Sequence, residues 1–327
     1  MTGFSLIDIH QHVIPDVYRS ALARIGVMGS GENPWPQWSM ARTLELMDEN
    51  GIAGTILSIA SPGAYFGDAE FTRGLVRDCN EALARMVADR PGKFGAMGFV
   101  PLPDVAAAAR EVDYVLDVLE LDGINLLTHT GDRYLGHPEE DELYAALDRR
   151  RAVVFVHPVR PQALPPVDYP AGYTELVFDT TRAIANLLCT GTLAKYPNIR
   201  FIMSHMGGVT PFLLFRLSGL DDEPKLRARF PDGVAAYLRR LYYDVAQSAA
   251  PLSFRALLEI ADPSRILFGT DYPFARNAEK VMTDTIEALA TFDGFDATLK
   301  RKIALDNARA LFPRFANPAE PSRGTHS

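Results

Sequence analysis

Short apolar runs rich in β-branched residues recur along the chain, and each is followed by a stretch whose apolar positions repeat with a helical period. Runs of this kind, bounded by Gly, Pro, Asn and Asp, are typical of buried strands. The pattern therefore predicts eight strands that alternate with helices. The predicted strands span residues 4–9, 54–60, 94–100, 123–127, 152–156, 199–204, 241–245 and 266–270.

Strands that alternate with helices pair in parallel, and eight of them suit closure into a (β/α)₈ barrel, the TIM barrel. An open doubly wound sheet is the alternative, but no Gly-rich GxGxxG motif follows the first strand. We expect one barrel domain over residues 1–315 and a disordered tail over 316–327. The predicted helices span 40–49, 69–88, 105–119, 139–150, 179–195, a segment from about 211, and then 251–261, 279–291 and 297–311.

A long segment, residues 13–39, separates the first strand from the first predicted helix and is rich in Gly and Pro. An insertion of this length at the end of a strand is usually a lid or a binding loop. It carries Trp35 and Trp38, whose large apolar rings favour packing over disorder. We therefore expect an insertion loop that contributes to a binding site, with Trp38 in contact with the substrate.

The overall composition is that of an ordinary globular enzyme, with 47% hydrophobic and 23% charged residues among 327. The net charge is −8, which disfavours nucleic acid or an anionic membrane surface as the main partner. We therefore expect a small-molecule partner, no nucleic-acid partner and no membrane partner.

The two cysteines, Cys79 and Cys189, both fall within predicted helices and lack the spacing of metal ligands. We interpret them as small buried apolar residues. The first strand begins almost at the first residue, and no apolar run approaches the ~18 residues of a membrane-spanning helix. The expected compartment is the cytoplasm.

Metal-competent side chains follow four of the predicted strands. His10 and His12 are two residues apart, so in an extended strand both side chains point to the same face. His157, His205 and Asp271 follow the fifth, sixth and eighth strands. Because the carboxyl ends of barrel strands meet at one face, all five side chains should converge there, where imidazole and carboxylate groups suit Zn²⁺ and tolerate Mn²⁺, Co²⁺ or Fe²⁺.

The stretches that carry these residues resemble the amidohydrolase superfamily. More narrowly, they are similar to the branch that contains aminocarboxymuconate-semialdehyde decarboxylase and the salicylate-type decarboxylases, and residues 35–38 and 56–63 are similar to 6-methylsalicylate decarboxylases. The resemblance covers nearly the whole chain. The motifs are Asp-Ile-His-Gln-His at 8–12, Val-His-Pro at 156–158, Ser-His-Met-Gly-Gly at 204–208 and Gly-Thr-Asp-Tyr-Pro-Phe at 269–274.

The resemblance implies one divalent metal ion, with Zn²⁺ favoured and Mn²⁺ the alternative, and a homodimer is expected. It implies His205 as a catalytic acid or base, with Asp271 both a ligand and a catalytic residue. The implied metal ligands are His10, His12, His157 and Asp271. A single ion is favoured because the binuclear members carry a lysine at the end of strand 4, and residues 126–129 contain none.

The resemblance also bears on the substrate. Arg216, eleven residues after His205, matches a position where the decarboxylases place an arginine that binds the substrate carboxylate. The muconate-type enzymes have a second substrate arginine, and here that position is Thr43, with Arg42 beside it. A hydroxyaromatic acid with one carboxylate therefore fits better than a dicarboxylate.

Two activities are compatible with these residues. The first is nonoxidative decarboxylation of a salicylate-like or related unsaturated carboxylic acid, in which a protonated His205 or Asp271 delivers a proton to the carbon that loses CO₂. The second is hydrolysis of a lactone, ester or amide by an activated water whose proton Asp271 accepts. The branch resemblance and the aromatic loop favour the first. A noncatalytic metal-binding scaffold is a third possibility. Measuring the metal content and the activity of the purified protein would distinguish it from an enzyme.

Overall fold

The computed structural model describes residues 5–30, 33–161 and 168–316. The predicted tail lies outside the described residues except for its first residue, and the predicted division of the chain into domain and tail stays a prediction. Eight parallel strands form one sheet, numbered here β1 to β8. They are Leu6–His12, Ile52–Ser58, Phe94–Gly98, Gly123–Leu127, Val153–His157, Arg200–Met203, Tyr242–Asp244 and Ile266–Leu267.

The strands pair in chain order from β1 to β8, and the sheet closes between its first and last strands. The amide of Ile9 donates to the carbonyl of Phe268 at 3.0 Å, and the amide of Asp271 donates to the carbonyl of His10 at 2.8 Å. The buried carboxylate of Asp8 accepts from Thr270 Oγ1 at 2.6 Å across the same seam. The predicted single-domain (β/α)₈ barrel is confirmed by this topology.

Helices connect the strands on the outside of the barrel. Several begin at side-chain caps: the Ser39 hydroxyl accepts from the amide of Arg42, and Asp104 accepts from the amide of Ala107. Gly51 ends α2 at a φ of 69°. The helices are α1 Asp16–Arg24, α2 Met40–Asn50, α3 Ala69–Asp89, α4 Val105–Asp113, α5 Asp141–Arg149, α6 Glu175–Thr190, α7 Thr192–Lys195, α8 Leu214–Ser218, α9 Pro224–Arg227, α10 Val234–Arg240, α11 Pro251–Ile260, α12 Ala278–Thr291, α13 Ala297–Arg301 and α14 Asn307–Leu311.

Short 3₁₀ and π segments join or extend several of these helices. The predicted helix 105–119 is α4 continued by a π-helical turn, and the predicted helix 297–311 is α13 and α14 joined by another. The π-helical turns are Tyr114–Val118 and Lys302–Asp306, and the 3₁₀ segments are Pro138–Glu140, Ala171–Tyr173, His205–Gly207, Thr210–Leu213, Gly219–Asp222, Pro263–Arg265 and Pro313–Phe315.

The segment after β1 is more ordered than a simple loop. It contains α1 and a two-stranded hairpin in which Gly29–Ser30 pairs with Asn33–Pro34. The hydroxyl of Tyr18, in α1, donates to the carbonyl of Gly63 at 2.6 Å, and the Tyr18 ring lies 5.8 Å from the ring of Trp35. These contacts hold the insertion against the loop that follows β2.

Both faces of the sheet are buried, as expected when helices cover the outside and side chains fill the inside. The aromatic side chains of Phe94, Phe155, Phe201 and Phe268 are fully or almost fully buried. Cys79 is buried and unpaired, and burial raises the pKa of its thiol. In the described part of the chain no helix combines the length and the apolar character needed to cross a membrane.

Candidate metal centre

Five polar side chains gather inside the barrel where the strands end. His10 and His12 lie at the end of β1 and His157 at the end of β5, while His205 and Asp271 follow β6 and β8. All five are buried. We call them the histidine–aspartate cluster. The structure thus brings together every residue that the sequence predicted as a metal ligand or as an acid or base.

The Asp271 carboxylate lies at the centre of the cluster. Its Oδ1 is 2.9 Å from His12 Nε2, 3.3 Å from His10 Nε2 and 3.9 Å from His157 Nε2. Its Oδ2 is 3.2 Å from His205 Nε2. Three imidazole nitrogens therefore point toward one carboxylate oxygen, while the fourth imidazole meets the other oxygen.

The three histidines around Oδ1 share a second feature, which is that the other ring nitrogen has a protein partner. His10 Nδ1 lies 2.9 Å from Asp244 Oδ2, and His12 Nδ1 lies 2.9 Å from Ser58 Oγ. His157 Nδ1 lies 2.8 Å from the carbonyl oxygen of Pro158. Partners of this kind fix the ring orientation and tautomer of metal-bound histidines.

His205 differs in this respect. Its buried Nδ1 has no hydrogen-bond partner among the residues that the structure describes, although its backbone amide donates to Asp244 Oδ1 at 3.1 Å. This distinction favours a ligand role for the first three histidines and an acid or base role for His205.

Within the described residues, three buried atoms of the cluster lack a well-directed hydrogen bond. One is His205 Nδ1, and the other two, Asp271 Oδ1 and His157 Nε2, face each other at 3.9 Å. Buried polar atoms are rarely left unsatisfied, and a cation between them would satisfy both. The ligand atoms of His10, His157, His205 and Asp271 all lie within 4.8 Å of one another. That group contains His205 instead of His12, although His12 Nε2 lies 2.9 Å from Asp271 Oδ1 and His12 Nδ1 lies 2.9 Å from Ser58 Oγ.

The electrostatics of the cluster fit a cation. Burial lowers the pKa of His157 to about 3 and also lowers that of His12, so both rings are neutral, as coordination requires. Burial also opposes a charge on His10, but Asp244 and Asp271 raise its pKa to about 10. Burial would raise the pKa of Asp271, yet the imidazoles, His10 first, lower it well below its usual range.

The backbone around the cluster is unusual as well. His205, Met206 and Asp271 have φ values of 54°, 58° and 63°, in the left-handed region that non-glycine residues seldom occupy. Such conformations persist where surrounding contacts enforce them, and they concentrate at functional sites. Gly208, at φ 67°, lies so close to α6 that a Cβ would fall 2.0 Å from the carbonyl oxygen of Val177.

Sequence reasoning missed two residues of this site. Asp244, the last residue of β7, contacts both His10 and His205, and the side-chain amide of Gln247 donates to Asp271 Oδ2. The sequence does give one indication for Asp244, which is that this acidic residue interrupts the apolar run 241–245. Gln247 follows the strand in a loop at a φ of 49°, and nothing in its sequence neighbourhood indicates a role.

In the described part of the chain, the two predicted substrate residues form no hydrogen bond or ion pair with the histidine–aspartate cluster. Trp38 lines a cavity of about 420 Å³ together with Trp35 and Phe94, and no member of the histidine–aspartate cluster lines that cavity. Arg216 lies in α8 with an exposed side chain and forms no ion pair with another described residue. The structure therefore adds no direct contact between either residue and the cluster.

A closed barrel with buried histidines and a carboxylate at the carboxyl ends of its strands has the arrangement of a TIM-barrel enzyme site, and these side chains are of the types that bind divalent metal ions. The chain belongs to the Amidohydrolase family, whose model matches residues 7–314.

Among curated proteins, the chain is similar to 6-methylsalicylic acid decarboxylase from Penicillium expansum, with 34% identity over 94% of this chain and 96% of that protein. Among solved structures, it is similar to an amidohydrolase II, with 30% identity, a TM-score of 0.87, and coverage of 94% of this chain and 99% of the other. The fold is also that of a dihydroxybenzoic acid decarboxylase from Polaromonas sp. JS666 solved with bound manganese, at 20% identity and a TM-score of 0.78, covering 94% and 97%. The branch predicted from the motifs is confirmed.

Proposed function

We propose that the protein is a nonoxidative carboxy-lyase that removes CO₂ from a salicylate-like aromatic acid with one carboxylate and an ortho hydroxyl. The observation that carries the proposal is the 34% identity with a 6-methylsalicylic acid decarboxylase over almost the whole of both chains. The departure at Thr43 from the muconate-type pattern supports a monocarboxylic substrate. A related unsaturated acid belongs to the same chemical class.

We further propose a single divalent ion held by His10, His12, His157 and Asp271. The donor set of three imidazoles and a carboxylate supports Zn²⁺, and the manganese of the Polaromonas structure keeps Mn²⁺ as the alternative. When bound, the ion would supply a Lewis acid and a template for adjacent carboxylate and hydroxyl oxygens.

The protein's own residues would handle the proton. The bond between the ring carbon and the carboxyl carbon breaks, CO₂ leaves, and the ring carbon receives a proton in its place. His205 is the proposed donor because its ring lies against Asp271 Oδ2 while its Nδ1 is unpaired within the described chain. Asp271 and Gln247 would hold that ring in position, and Asp271 is the alternative donor.

Two further residues are proposed to contact the substrate. Arg216 can bind a carboxylate through two parallel hydrogen bonds, and its exposed guanidinium has no carboxylate partner within the described chain. Trp38 precedes α2, whose Arg42 bonds Glu279 at 2.8 Å in the segment that follows Asp271. That contact supports a position for the Trp38 loop beside the rim of the site.

We also propose a homodimer and a cytoplasmic location. Phe212 and Phe215, which flank the start of α8, are 56% and 91% exposed, which supports an interface there. Light scattering of the purified protein would report the mass, and a monomer at micromolar concentration would contradict the dimer.

The buried thiol of Cys79 supports a reducing compartment, which fractionation of the source cells would test.

The decisive experiment is a substrate panel offered to protein loaded separately with Zn²⁺ and Mn²⁺. The panel contains hydroxybenzoic acids, methylsalicylates, and small lactones and esters, and the readouts are CO₂ release and product absorbance. We expect CO₂ from an ortho-hydroxy aromatic acid and one metal equivalent per chain. If lactones or esters are hydrolysed and no acid releases CO₂, the protein is a hydrolase. Two ions per chain, both required for activity, would contradict the single-ion centre.

A further inference from the structure

A second buried polar group lies at the same end of the barrel, just beyond β4. Asp179, in α6, is fully buried, and its carboxylate accepts hydrogen bonds from the hydroxyls of Thr128 and Tyr134. His129 Nδ1 lies 3.1 Å from Asp179 Oδ2. Burial and the Asp179 carboxylate raise the pKa of Tyr134 to about 12, so this hydroxyl keeps its proton and donates it.

This group is bonded to the segments that carry the predicted metal centre. The amide of Thr128 donates to the carbonyl of His157 at 3.0 Å, and the amide of Val159 donates to the Thr128 hydroxyl at 3.2 Å. On its other side, α6 packs against the turn after His205, where the amide of Val209 donates to the hydroxyl of Thr181 at 2.9 Å. Asp179 therefore lies between the segments that follow two histidines of the cluster.

The hydrogen bonds fix how His129 is presented. Asp179 already accepts two hydroxyl protons, so it acts as an acceptor toward His129 as well, and the imidazole proton sits on Nδ1. His129 Nε2 has no hydrogen-bond partner among the described residues, and the side chain keeps 7% of its surface exposed. A ring held in this way presents an unpartnered Nε2 at the carboxyl-end face of the barrel.

We propose that His129 is a specificity-determining residue, positioned by Asp179, whose Nε2 accepts a hydrogen bond from a ring hydroxyl of the substrate other than the one beside the carboxylate that binds the metal. The inference rests on the proposed function, because it assumes a hydroxyaromatic acid at the centre. Its chemistry selects for a second hydroxyl on the ring over a methyl group, since a methyl group cannot donate to Nε2.

The two ring nitrogens can be tested separately by side-chain length. In His129→Asn, the amide nitrogen occupies the place of Nδ1 and can still donate to Asp179, but the atom equivalent to Nε2 is lost. In His129→Gln, the terminal amide reaches the place of Nε2, where its oxygen can accept a hydrogen bond, whereas the bond to Asp179 is lost. His137→Gln is the matched control, because His137 is a half-buried histidine eight residues away whose Nδ1 accepts only from the nearby amide of Glu139.

The measurements are the melting temperature, kcat and KM of metal-loaded enzyme on 2,6-dihydroxybenzoate and on 2-hydroxy-6-methylbenzoate, and equilibrium binding of both acids. We expect His129→Asn to melt close to wild type. It should raise KM for the dihydroxy acid by roughly three- to tenfold, the range for one lost neutral hydrogen bond. KM for the methyl acid should stay unchanged. Asp179→Asn should shift the same ratio and also lower the melting temperature. The His137→Gln control should match wild type.

An unchanged KM ratio and unchanged binding in a folded His129→Asn variant would overturn the inference while leaving the decarboxylase proposal intact. An equal loss for both acids would also overturn it, because that result indicates a structural role. If the wild type binds these acids and no acid of the wider panel releases CO₂, the decarboxylase proposal fails and the binding ratio still decides the role of His129. If the wild type binds neither acid, the inference about His129 fails, and the wider panel decides the decarboxylase proposal.

Discussion

At the scale of single residues, the cluster is defined by which nitrogen of each histidine is already bonded to protein. His10, His12 and His157 each have Nδ1 fixed by a partner and Nε2 directed at Asp271. These rings are therefore already ordered in the folded protein, so binding a cation costs little additional side-chain entropy. His205 lacks such a partner within the described chain, which is why the same residue type can serve a different role.

The first residue-scale prediction concerns His12. His12→Ala should abolish most metal binding, because one of four proposed ligands is lost and the buried Asp271 carboxylate loses its nearest imidazole, at 2.9 Å. Elemental analysis of the purified variant measures the occupancy. His137→Ala, at a half-buried histidine outside the cluster, provides the control for loss of a histidine. Full occupancy in a folded His12→Ala protein would remove His12 from the ligand set.

The second residue-scale prediction concerns His205. His205→Asn should retain the fold and one metal equivalent while lowering kcat by roughly 10²-fold or more, the scale of lost general acid or base catalysis. Steady-state kinetics on the best acid of the panel, paired with elemental analysis, separate chemistry from metal loss. A variant that loses its metal instead would place His205 among the ligands, and wild-type kcat would exclude an acid role.

The cluster could be predicted from sequence because each member comes at the end of an apolar run or within a few residues of it, which places it at a strand end. Asp244 could not be assigned a partner in the same way. It bonds His10 across 234 positions of sequence, and only the closed barrel brings β7 beside that ring. Residues that orient ligands are thus harder to recognise than the ligands, because one carboxylate in an apolar run has many structural explanations.

At the scale of elements, the period of the apolar positions gave strand 4 with its observed bounds and the other strands to within a few residues. The segment after β1 was the hardest to interpret, since its Gly and Pro content hides α1 and a short hairpin. The π-helical turns at 114–118 and 302–306 were invisible for a physical reason: one extra residue in a turn changes the hydrogen bonding without changing the apolar pattern much.

The Trp38 prediction belongs to this scale, because it tests whether the insertion after β1 closes over the substrate. If it does, Trp38→Ala should raise KM most for larger and more apolar ring substituents. Trp35 lines the same cavity, so Trp35→Ala is the matched control for loss of packing. Equal losses of stability in both variants, with the substrate ratio unchanged, would assign Trp38 to packing alone.

At the scale of the whole molecule, the closed sheet explains why residues from both ends of the chain form one site. Asp271 donates its amide to the carbonyl of His10, so the seam between β8 and β1 sets the position of the central carboxylate. Strand order and closure followed from the sequence because eight alternating units permit few other arrangements. The packing of individual loops could not be predicted from the sequence, since it depends on contacts between segments far apart in the chain.

The free energy of unfolding should depend on pH through one buried carboxyl group, Glu140, which has no proposed role in metal binding or catalysis. Glu140 is buried, and burial raises its pKa to about 7 from an ordinary value of 4.5, although the Tyr144 hydroxyl donates to it at 2.8 Å. The folded state therefore holds this proton more tightly than the unfolded state. The stability that Glu140 contributes is present below about pH 4.5 and falls as the pH rises toward 7.

Glu140→Gln removes this dependence while keeping an acceptor for Tyr144. Urea unfolding at pH 5, 6 and 8 should therefore show the variant gaining on wild type as the pH rises, by up to about 3 kcal/mol at pH 8. Glu139→Gln, at the exposed neighbouring position, is the control and should show a much smaller change. A gain that stays constant across the three pH values would mean that the substitution acts through packing, and the Glu140 carboxyl would then not be the source of the pH dependence.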